Sequence, residues 1–336
     1  MCILIFELTS REKKPGLMNS DASFRVLHIL LSMLLAGTGF ACSEDLPSPP
    51  PPGGSDTTKT PIDTLWTYDA ADTLCVLVDG RITELSGIAP SRKRDGLYWL
   101  HNDSGGEARI FAMDSTGSTL AVCALKGATN VDWEDIANVD HAGTSWLYVA
   151  DVGDNDARRQ EIVIYRTEEA EVSSSWQNQQ LSRQAEHAVF TYEDGPRDCE
   201  ALMVDPADNS LWLIEKSSAF TSGVYRATWP GDGKIGVFRR VAEIAPPFSL
   251  GILRRITAAD LRPDRGAMLI RTYGGIVEFY SPPQHPIPAL LGFDSSALIS
   301  YPHLPRPEAA CYRRDGAALI AGSEGKHTPI IIVRRK

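Results

Sequence analysis

Acidic and amide side chains recur at two kinds of position in this chain, each beside a short apolar run. Those at the start of an apolar run are Glu84, Asp132, Glu134, Asp198, Glu200 and Glu308. Those that follow an apolar run are Asn102, Asp103, Asp154 and Asn155. Carboxylate and amide oxygens are preferred ligands of Ca²⁺ and Mg²⁺, and the spaced cysteines and histidines of a zinc site do not occur. The sequence therefore predicts a divalent-cation site, with Ca²⁺ or Mg²⁺ as the candidate cofactor.

Basic side chains also lie in or near the segments that follow the apolar runs, and they are candidates to contact an anion. They are His101, Arg158, Arg159, Lys216 and Arg271. A histidine can act as a general base near neutral pH, and a guanidinium can hold a phosphate or a carboxylate. No Gly-x-Ser-x-Gly elbow and no phosphate-binding glycine loop accompanies them, so no catalytic residue is assigned.

The same residues also allow a structural interpretation. Each glutamate could accept backbone N–H groups or pair with an arginine and so lock neighbouring repeats together. Arginines do stand a few residues before several of these acids, namely Arg81, Arg197, Arg255 and Arg306. His101 could be a hydrogen-bonded residue at a strand end, and Arg158 and Arg159 could be solvated or pair between repeats. Carboxylates around one opening need protons, arginines or a metal, and the sequence leaves these alternatives open.

The elements that must position these residues form a repeat of roughly 50 to 66 residues. The clearest copies begin at 83–88, 133–137, 199–203 and 307–310, and a fifth copy at 256–259 has threonine in place of glutamate. Each copy continues into a second apolar run, at 96–100, 146–150, 211–214, 267–270 and 317–320. These runs are short, rich in aliphatic and aromatic residues, and bounded by turn residues, so they predict β-strands.

Four strands in a radially repeated unit indicate an all-β fold, a single β-propeller. The copies predict five four-stranded blades, or six if residues 66–79 and one long insertion hide another. The last copy ends after three strands, and the segment 73–78 is expected to supply its missing outer strand. In such a blade the loop into the first strand and the loop after the second lie on one face. The acidic residues should therefore surround one mouth of the central channel.

The N-terminal segment carries signals for export. An apolar run at 26–35 is too short to span a bilayer but suits a signal peptide, and Arg25 precedes it. The residues that end at Cys42 resemble a bacterial lipobox, although Gly39 replaces the usual leucine. We therefore predict a signal peptide at 1–41 with a true start at Met18, lipidation of Cys42, a Pro/Gly/Ser-rich tether at 42–62 and the propeller at 63–336. The expected location is the bacterial envelope, membrane-anchored on the periplasmic side or at the cell surface.

Four motifs resemble a family of secreted bacterial propellers without an established activity. They are His-Asn-Asp-Ser-Gly at 101–105, Asp-Trp-Glu-Asp-Ile-Ala at 132–137, Gly-Asp-Asn at 153–155 and Asp-Cys-Glu-Ala-Leu at 198–202. The opening at 84–87 is also similar to phytase-like and SdiA-regulated propellers. The resemblance covers 84–205 well and the rest weakly. Kinship with the phytase-like propellers would imply calcium and phosphate-ester chemistry, but this sequence does not match their full set of calcium and phosphate ligands.

Two functions fit these observations. The first is a binding protein whose mouth holds a cation and recognises a small molecule, a glycan or a protein. The second is a metal-dependent hydrolase of a phosphoester, a lactone or a glycan, so the sequence does not decide whether the protein is an enzyme. The net charge of −10 and the pI near 5.2 argue against nucleic acid as a partner.

Overall fold

The computed structural model describes residues 67–280, 287, 296–299 and 304–336. All of these residues belong to one compact unit, Thr60–Lys336. The predicted signal peptide (1–41), the tether (42–62) and Cys42 lie outside the described residues. Among the residues that are described, no helix has the length and apolar character needed to cross a bilayer.

The described part of the chain is built from β-strands, and the prediction of an all-β fold is confirmed. Its elements are β1 (Asp72–Val76), β2 (Leu85–Pro90), β3 (Leu97–Asn102), β4 (Arg109–Asp114), β5 (Thr119–Lys126), β6 (Trp133–His141), β7 (Thr144–Asp151), β8 (Ile162–Glu168), β9 (Gln179–Gln184), β10 (Glu186–Tyr192), β11 (Cys199–Asp205), β12 (Ser210–Glu215), β13 (Ser222–Thr228), β14 (Lys234–Ile244), α1 (Gly251–Arg254), β15 (Ile256–Leu261), β16 (Ala267–Thr272), β17 (Gly275–Tyr280), β18 (Ser296–Ile299), β19 (Pro307–Tyr312), β20 (Ala318–Ser323) and β21 (Pro329–Arg334). Helix α1 has only four residues, so strands alone position the site.

The strands pair in five antiparallel groups of four. The groups are β2–β5, then β6, β7, β8 and β10, then β11–β14, β15–β18, and finally β19–β21 with β1. In the last group β1 pairs antiparallel with β21, so the N-terminal strand supplies the fourth strand. The long connection between β8 and β10 forms β9, which pairs parallel with β5 as a fifth strand. A parallel pairing of β10 with β14 joins the second and third groups into an eight-stranded sheet.

The first strand of each group lies at the centre of the molecule. Strands β2, β6, β11, β15 and β19 contact one another in the ring order β2, β6, β11, β15, β19 and back to β2, and β6 also contacts β15 across the ring. They are buried along most of their lengths. Apolar clusters fill the spaces between groups; one of them joins Tyr98 and Phe111 of the first group to Ile320 of the last. The cysteines at 75, 123, 199 and 311 are all buried and unbridged.

A buried carboxylate ties three of these first strands together. Asp135 in β6 accepts N–H groups from Ile136 at 2.8 Å, from Leu202 in β11 at 2.9 Å and from Ala259 in β15 at 3.4 Å. The side chain is 1% exposed. Burial raises the pKa of Asp135 well above its usual value, and the three N–H donors oppose that rise. Asp135 therefore satisfies backbone groups that water cannot reach.

Replacing Asp135 should test this connection. Because Asp135→Ala leaves buried N–H groups without acceptors, we expect it to lower the free energy of unfolding by about 3 kcal/mol. Asp135→Asn keeps one oxygen acceptor and should cost clearly less. Chemical denaturation of both variants measures the difference, with Asp140→Ala at the exposed end of β6 as the control. Equal losses for Asp135→Ala and Asp140→Ala would contradict the role assigned to Asp135.

Candidate functional site

Each first strand carries a β-bulge close to its start. The pairing register with the second strand shifts between Leu85 and Gly87, Trp133 and Asp135, Cys199 and Ala201, Ile256 and Ala258, and Pro307 and Ala310. The residues inside these shifts include Ser86, Glu134, Glu200, Thr257 and Glu308, and none is more than 7% exposed. A bulge adds one residue and redirects a side chain, so these five bulged residues form one structural ring.

The bulges correct the alignment of the first repeat. Ser86, rather than Glu84, stands in register with Glu134. Glu84 precedes β2 and is exposed; its backbone carbonyl accepts the N–H of Asp103 at 2.8 Å. The sequence repeat matched one glutamate with another, whereas the strand pairing places Glu84 two residues earlier, in register with Asp132. Glu84 is therefore not a member of the ring.

Two members of the ring are hydroxyl residues that bind neighbouring backbone. Ser86 donates its hydroxyl to the carbonyl of Glu134 at 2.6 Å. Thr257 donates to the carbonyls of Pro307 at 3.0 Å and Glu308 at 3.1 Å. These bonds link adjacent first strands, and they engage the hydroxyl protons of both residues. The ionisable groups of the ring are thus the three glutamates.

One glutamate of the ring meets two aspartates from the loops. Oxygen atoms of Asp103, Asp132 and Glu134 all lie within 4.8 Å of one another, and this cluster could hold a metal ion. Asp103 follows β3 and Asp132 precedes β6. A Cβ atom on Gly153 would lie 2.0 Å from Oε1 of Glu134 and 2.4 Å from Oδ2 of Asp132. Glycine at this position therefore leaves room for both carboxylates.

The loop after β7 has a structural role beside this cluster. Asp151 accepts the N–H groups of Val131 at 3.1 Å and Asp132 at 3.2 Å, and pairs with Arg159 at 2.8 Å. Arg159 also donates to the carbonyl of Gly153. Its positive charge opposes the rise in the pKa of Asp132. Arg159 therefore holds the loop that carries Gly153.

Asp154 and Asp198 close the same loop. The backbone N–H of Asp154 donates to Oδ1 of Asp198 at 3.1 Å. The carboxylate of Asp154 accepts the N–H of Arg159 at 2.6 Å. In Asp154 and in Asp198, both predicted ligands, one carboxylate oxygen therefore accepts a backbone N–H, and both side chains fix the shape of this loop.

A lysine lies beside the other two glutamates of the ring. Lys216 forms a close ion pair with Oε1 of Glu200, and its Nζ lies 5.5 Å from the centre of the Tyr273 ring. The hydroxyl of Tyr273 donates to Oε1 of Glu308 at 3.3 Å. Oε2 of Glu200 is buried and has no hydrogen-bond partner. Arg271 is fully buried, and its charge opposes the rise in the pKa of Glu308.

Burial and mutual repulsion hold these carboxyl groups in their protonated forms at unusually high pH. Burial raises the pKa of Asp103 to about 7, with Asp132 adding repulsion. Burial also raises the pKa of Glu308 to about 7, and Lys216 opposes that rise. The pKa of Glu134 is raised well above its usual value by burial and then by Glu200. For Glu200, burial raises the pKa and Lys216 opposes the rise.

The remaining predicted residues lie outside the cluster. Asn102 accepts the N–H groups of Thr83 and Glu84 and donates to the carbonyl of Arg81, so its amide serves the backbone. Asn155 is exposed. The side chain of Arg158 is 81% exposed and pairs with Asp156. These placements favour the structural interpretation for all three.

His101 is buried at the end of β3. Its Nδ1 lies 2.9 Å from the carbonyl of Asn102, and its ring meets the Trp133 ring edge-on with the centroids 5.6 Å apart. Burial lowers the pKa of His101 to about 4. His101 is therefore a neutral packing residue at neutral pH, as the strand-end alternative expects.

Sequence reasoning did not name Ser86, Gly153, Thr257 or Tyr273 as site residues. The repeat nevertheless placed Thr257 where other copies have glutamate, whereas Ser86 becomes visible only through the strand pairing and Gly153 only through its distance to the two carboxylates. Tyr273 lies in a polar loop that the sequence repeat places on the same face as the acidic residues. No protein-family model and no curated protein matches this chain. The function is therefore argued from the geometry of the mouth.

The raised pKa values predict an unusual pH dependence of stability. Asp103 and Glu308 bind protons more tightly in the folded chain, so with a chelator present stability should fall as the pH rises from about 4 towards 7 and beyond. Between pH 6.5 and 8 we expect a loss of about 1 to 2 kcal/mol in the free energy of unfolding. His101, with its lowered pKa, opposes this trend only below about pH 6.5.

Thermal and chemical unfolding with EDTA at a series of pH values measure this dependence. The double variant Asp103→Asn/Glu308→Gln should lose less stability over this pH range than the wild-type chain, because two of the carboxyl groups with raised pKa values no longer titrate. Stability that rises steadily up to pH 8 in the chelated wild-type chain would show that the two carboxyl groups do not behave as described.

Proposed function

We propose that the five four-stranded groups are the blades of a β-propeller and that β1 closes the last blade. Two observations support this architecture. The first strands contact one another in ring order, and every first strand has its bulge near the same end. The bulged side chains then face the mouth of a central channel, which is the arrangement that a cation site requires.

We infer that this mouth holds one divalent cation, and the convergence of Asp103, Asp132 and Glu134 carries the inference. Carboxylate oxygens are hard ligands that suit Ca²⁺ and Mg²⁺. The oxygens of these three side chains all lie within 4.8 Å of one another, close enough for one such ion to contact all three.

A second observation supports a cation rather than protons alone. Oε2 of Glu200 is buried without a hydrogen-bond partner, and the charge of Glu200 adds to the repulsion on Glu134. A buried polar atom without a partner costs about 1 to 3 kcal/mol. A divalent cation beside Glu134 would relieve this repulsion more fully than Lys216, whose charge opposes the rise in the pKa of Glu134 only as the smallest of the contributions.

We propose that the cation and Lys216 together recognise an unidentified ligand at the mouth, whether a small molecule, a glycan or a protein. The acidic surface disfavours nucleic acid. A ligand with an anionic or oxygen-rich group could bind the cation on one side and approach Lys216 on the other. The primary function is thus cation-dependent binding.

A metal-dependent hydrolase is the second candidate, and the position of Lys216 favours it. The lysine is held between Glu200 and Tyr273, and its charge also acts on Glu134 of the proposed cation site. Such a charge can stabilise negative charge that develops on a phosphoester, lactone or glycan. A bound cation would supply an activated water molecule. Chelator-sensitive turnover on a panel of such substrates would favour the hydrolase, and intact cation binding without turnover would favour the binding protein.

Cation binding should depend on Glu134 and be independent of Glu84. We expect Glu134→Gln to weaken Ca²⁺ or Mg²⁺ binding at least tenfold, because it removes a charged ligand from the cluster. Glu84→Gln is the matched control, since Glu84 is exposed outside the ring. Isothermal titration calorimetry measures both affinities, and unfolding with EDTA checks that the variants fold. Equal affinities in the wild-type chain and Glu134→Gln would exclude the proposed site.

We also propose that the chain is an exported lipoprotein, anchored through Cys42 and with the propeller held on a tether. The lipobox-like sequence and the Pro/Gly/Ser-rich segment support this proposal. In a bacterial host, labelled fatty acid should be incorporated into the wild-type chain and lost in Cys42→Ser. Cell fractionation should then recover the wild-type chain with membranes. Label retained by Cys42→Ser would show that Cys42 is not the site.

A further inference from the structure

A cavity of about 360 Å³ lies where the last group of strands meets the first. Its walls come from both groups, with Leu97 and Tyr98 of β3 on one side and Leu74 of β1 and Ile332 of β21 on the other. The loops at its rim follow the ends of β2 and β19, whereas the mouth lies at the beginnings of these strands. The cavity is therefore separate from the mouth, and we call it the seam cavity.

Tyr98 brings an unused hydrogen-bond donor to the seam cavity. The residue is only 2% exposed, and its hydroxyl has no hydrogen-bond partner within the described part of the chain. Burial raises the pKa of this hydroxyl, Cys311 adds to the rise, and the charges of Arg313 and Asp315 in the cavity lining also act on it. The hydroxyl therefore lies near these two side chains and stays protonated at neutral pH. A nearly buried donor without an acceptor is unfavourable, so it favours a ligand that accepts a hydrogen bond.

Two arginines of the turn between β19 and β20 form one rim of the seam cavity. The guanidinium of Arg313 donates to both carboxylate oxygens of Asp315, at 2.8 and 2.6 Å. Arg314 donates only from Nη1, to Asp95 at 2.9 Å, and this contact joins the last group of strands to the first. Neither side chain donates elsewhere among the described residues. Because every nitrogen of a guanidinium carries N–H groups, Nη1 of Arg313 and Nε and Nη2 of Arg314 remain available to an acceptor.

Arg334 gives the lining of the seam cavity a net positive charge. The lining contains three arginines and two aspartates, Asp95 and Asp315. Arg334 lies 3.5 Å from Asp72, which is outside the lining, and the two side chains are 47% and 65% exposed. An ion pair this exposed contributes little to stability and readily exchanges partners. A carboxylate that enters the cavity can therefore replace Asp72 as the partner of Arg334.

We propose that the seam cavity binds a small monocarboxylate with an apolar body, whose carboxylate lies among the arginines and the Tyr98 hydroxyl. A cavity of this volume is typical of sites for small molecules. The planar guanidinium matches the two oxygens of a carboxylate. This site does not depend on the cation proposed for the mouth.

The apolar wall decides the size and the character of the ligand. Leu97, Tyr98 and Ile332 are each no more than 3% exposed. Only a molecule small enough to enter the cavity can contact them, whereas a protein surface or a membrane stops at rim residues such as Asp95, whose side chain is 89% exposed. An apolar body would cover this wall and remove it from water.

Isothermal titration calorimetry with 2-naphthoate, 2-naphthamide and acetate tests the proposal. The full chain with Cys42→Ser is the common background, and EDTA keeps divalent cations away from the mouth. We expect 2-naphthoate to bind at least tenfold more tightly than 2-naphthamide, which lacks the charge, and than acetate, which lacks the apolar body. Equal affinities for 2-naphthoate and either analogue, or no binding of 2-naphthoate, would overturn the proposal.

Variants of the lining locate the site. Tyr98→Phe and Arg314→Gln should each weaken 2-naphthoate binding at least fivefold. Arg240→Gln is the matched control, since the side chain of Arg240 is also 41% exposed and pairs with a carboxylate, but lies on β14. An equal loss in Arg240→Gln, or unchanged affinity in both lining variants, would refute the assignment of the seam cavity.

Two further measurements separate a ligand site from a structural role and from the mouth. Tyr98→Phe should leave the free energy of unfolding unchanged, because the hydroxyl has no partner to lose; a loss of stability with unchanged affinity would overturn its role in binding. Glu134→Gln should leave 2-naphthoate affinity unchanged, and a loss there would place the ligand at the mouth instead. A failed cation titration would refute the proposed function without touching this site, since 2-naphthoate is titrated in EDTA.

Discussion

Electrostatic repulsion between buried carboxylates is the constraint on which the mouth of this molecule depends. Bulges in the five first strands bring residues that are distant in sequence to one ring, and loop aspartates join one side of it. Two full charges about 5 Å apart repel by about 3 kcal/mol at an effective dielectric constant near 20. The fold can tolerate this arrangement only with protons, cationic side chains or a metal ion at the mouth.

Carboxylates elsewhere in the protein interior have hydrogen-bond donors for their oxygens. Glu169 is fully buried and accepts hydrogen bonds from Ser91, Arg92, Trp99 and Asn138. Asp135 likewise accepts three backbone N–H groups. The mouth differs, because Glu200 retains a buried oxygen without a partner and Asp103 does as well. Donors satisfy the structural carboxylates, while those at the mouth retain the capacity to bind another group.

The architecture was predictable from the sequence because it depends on local patterns. Short apolar runs between turn residues identified the strands, and the incomplete last repeat pointed to the pairing that β1 makes with β21. The convergence of Asp132, Glu134 and Asp103 also followed from the repeat. Strand β9 was not predictable, since its polar residues pair with β5 only through a long connection.

The finer assignment of the site depended on geometry that one-dimensional patterns do not contain. Matching one glutamate with another offset the first copy by two residues, so Glu84 looked equivalent to Glu134, although the strand pairing puts Ser86 at that position and Glu84 at the position of Asp132. Asn102 and Asp103 are adjacent and similar in shape. The side chain of Asn102 forms hydrogen bonds with backbone groups, whereas that of Asp103 joins the carboxylate cluster. Only the folded structure distinguishes an oxygen that accepts backbone N–H groups from one that has no hydrogen-bond partner.

The order of residues around the ring determines which of its carboxylates forms an ion pair with Lys216. Ser86 and Thr257 are neutral and separate Glu308 from the other two glutamates on both sides. Lys216 pairs with Glu200 and also opposes the rise in the pKa of Glu308, so its charge is used in that half. Glu134 is left beside Asp103 and Asp132. One proton would leave two negative charges on this cluster, whereas one divalent cation leaves a single charge and gives each carboxylate an attractive partner. A metal ion would therefore gain most beside Asp103, Asp132 and Glu134, because Lys216 is engaged by Glu200 and Glu308.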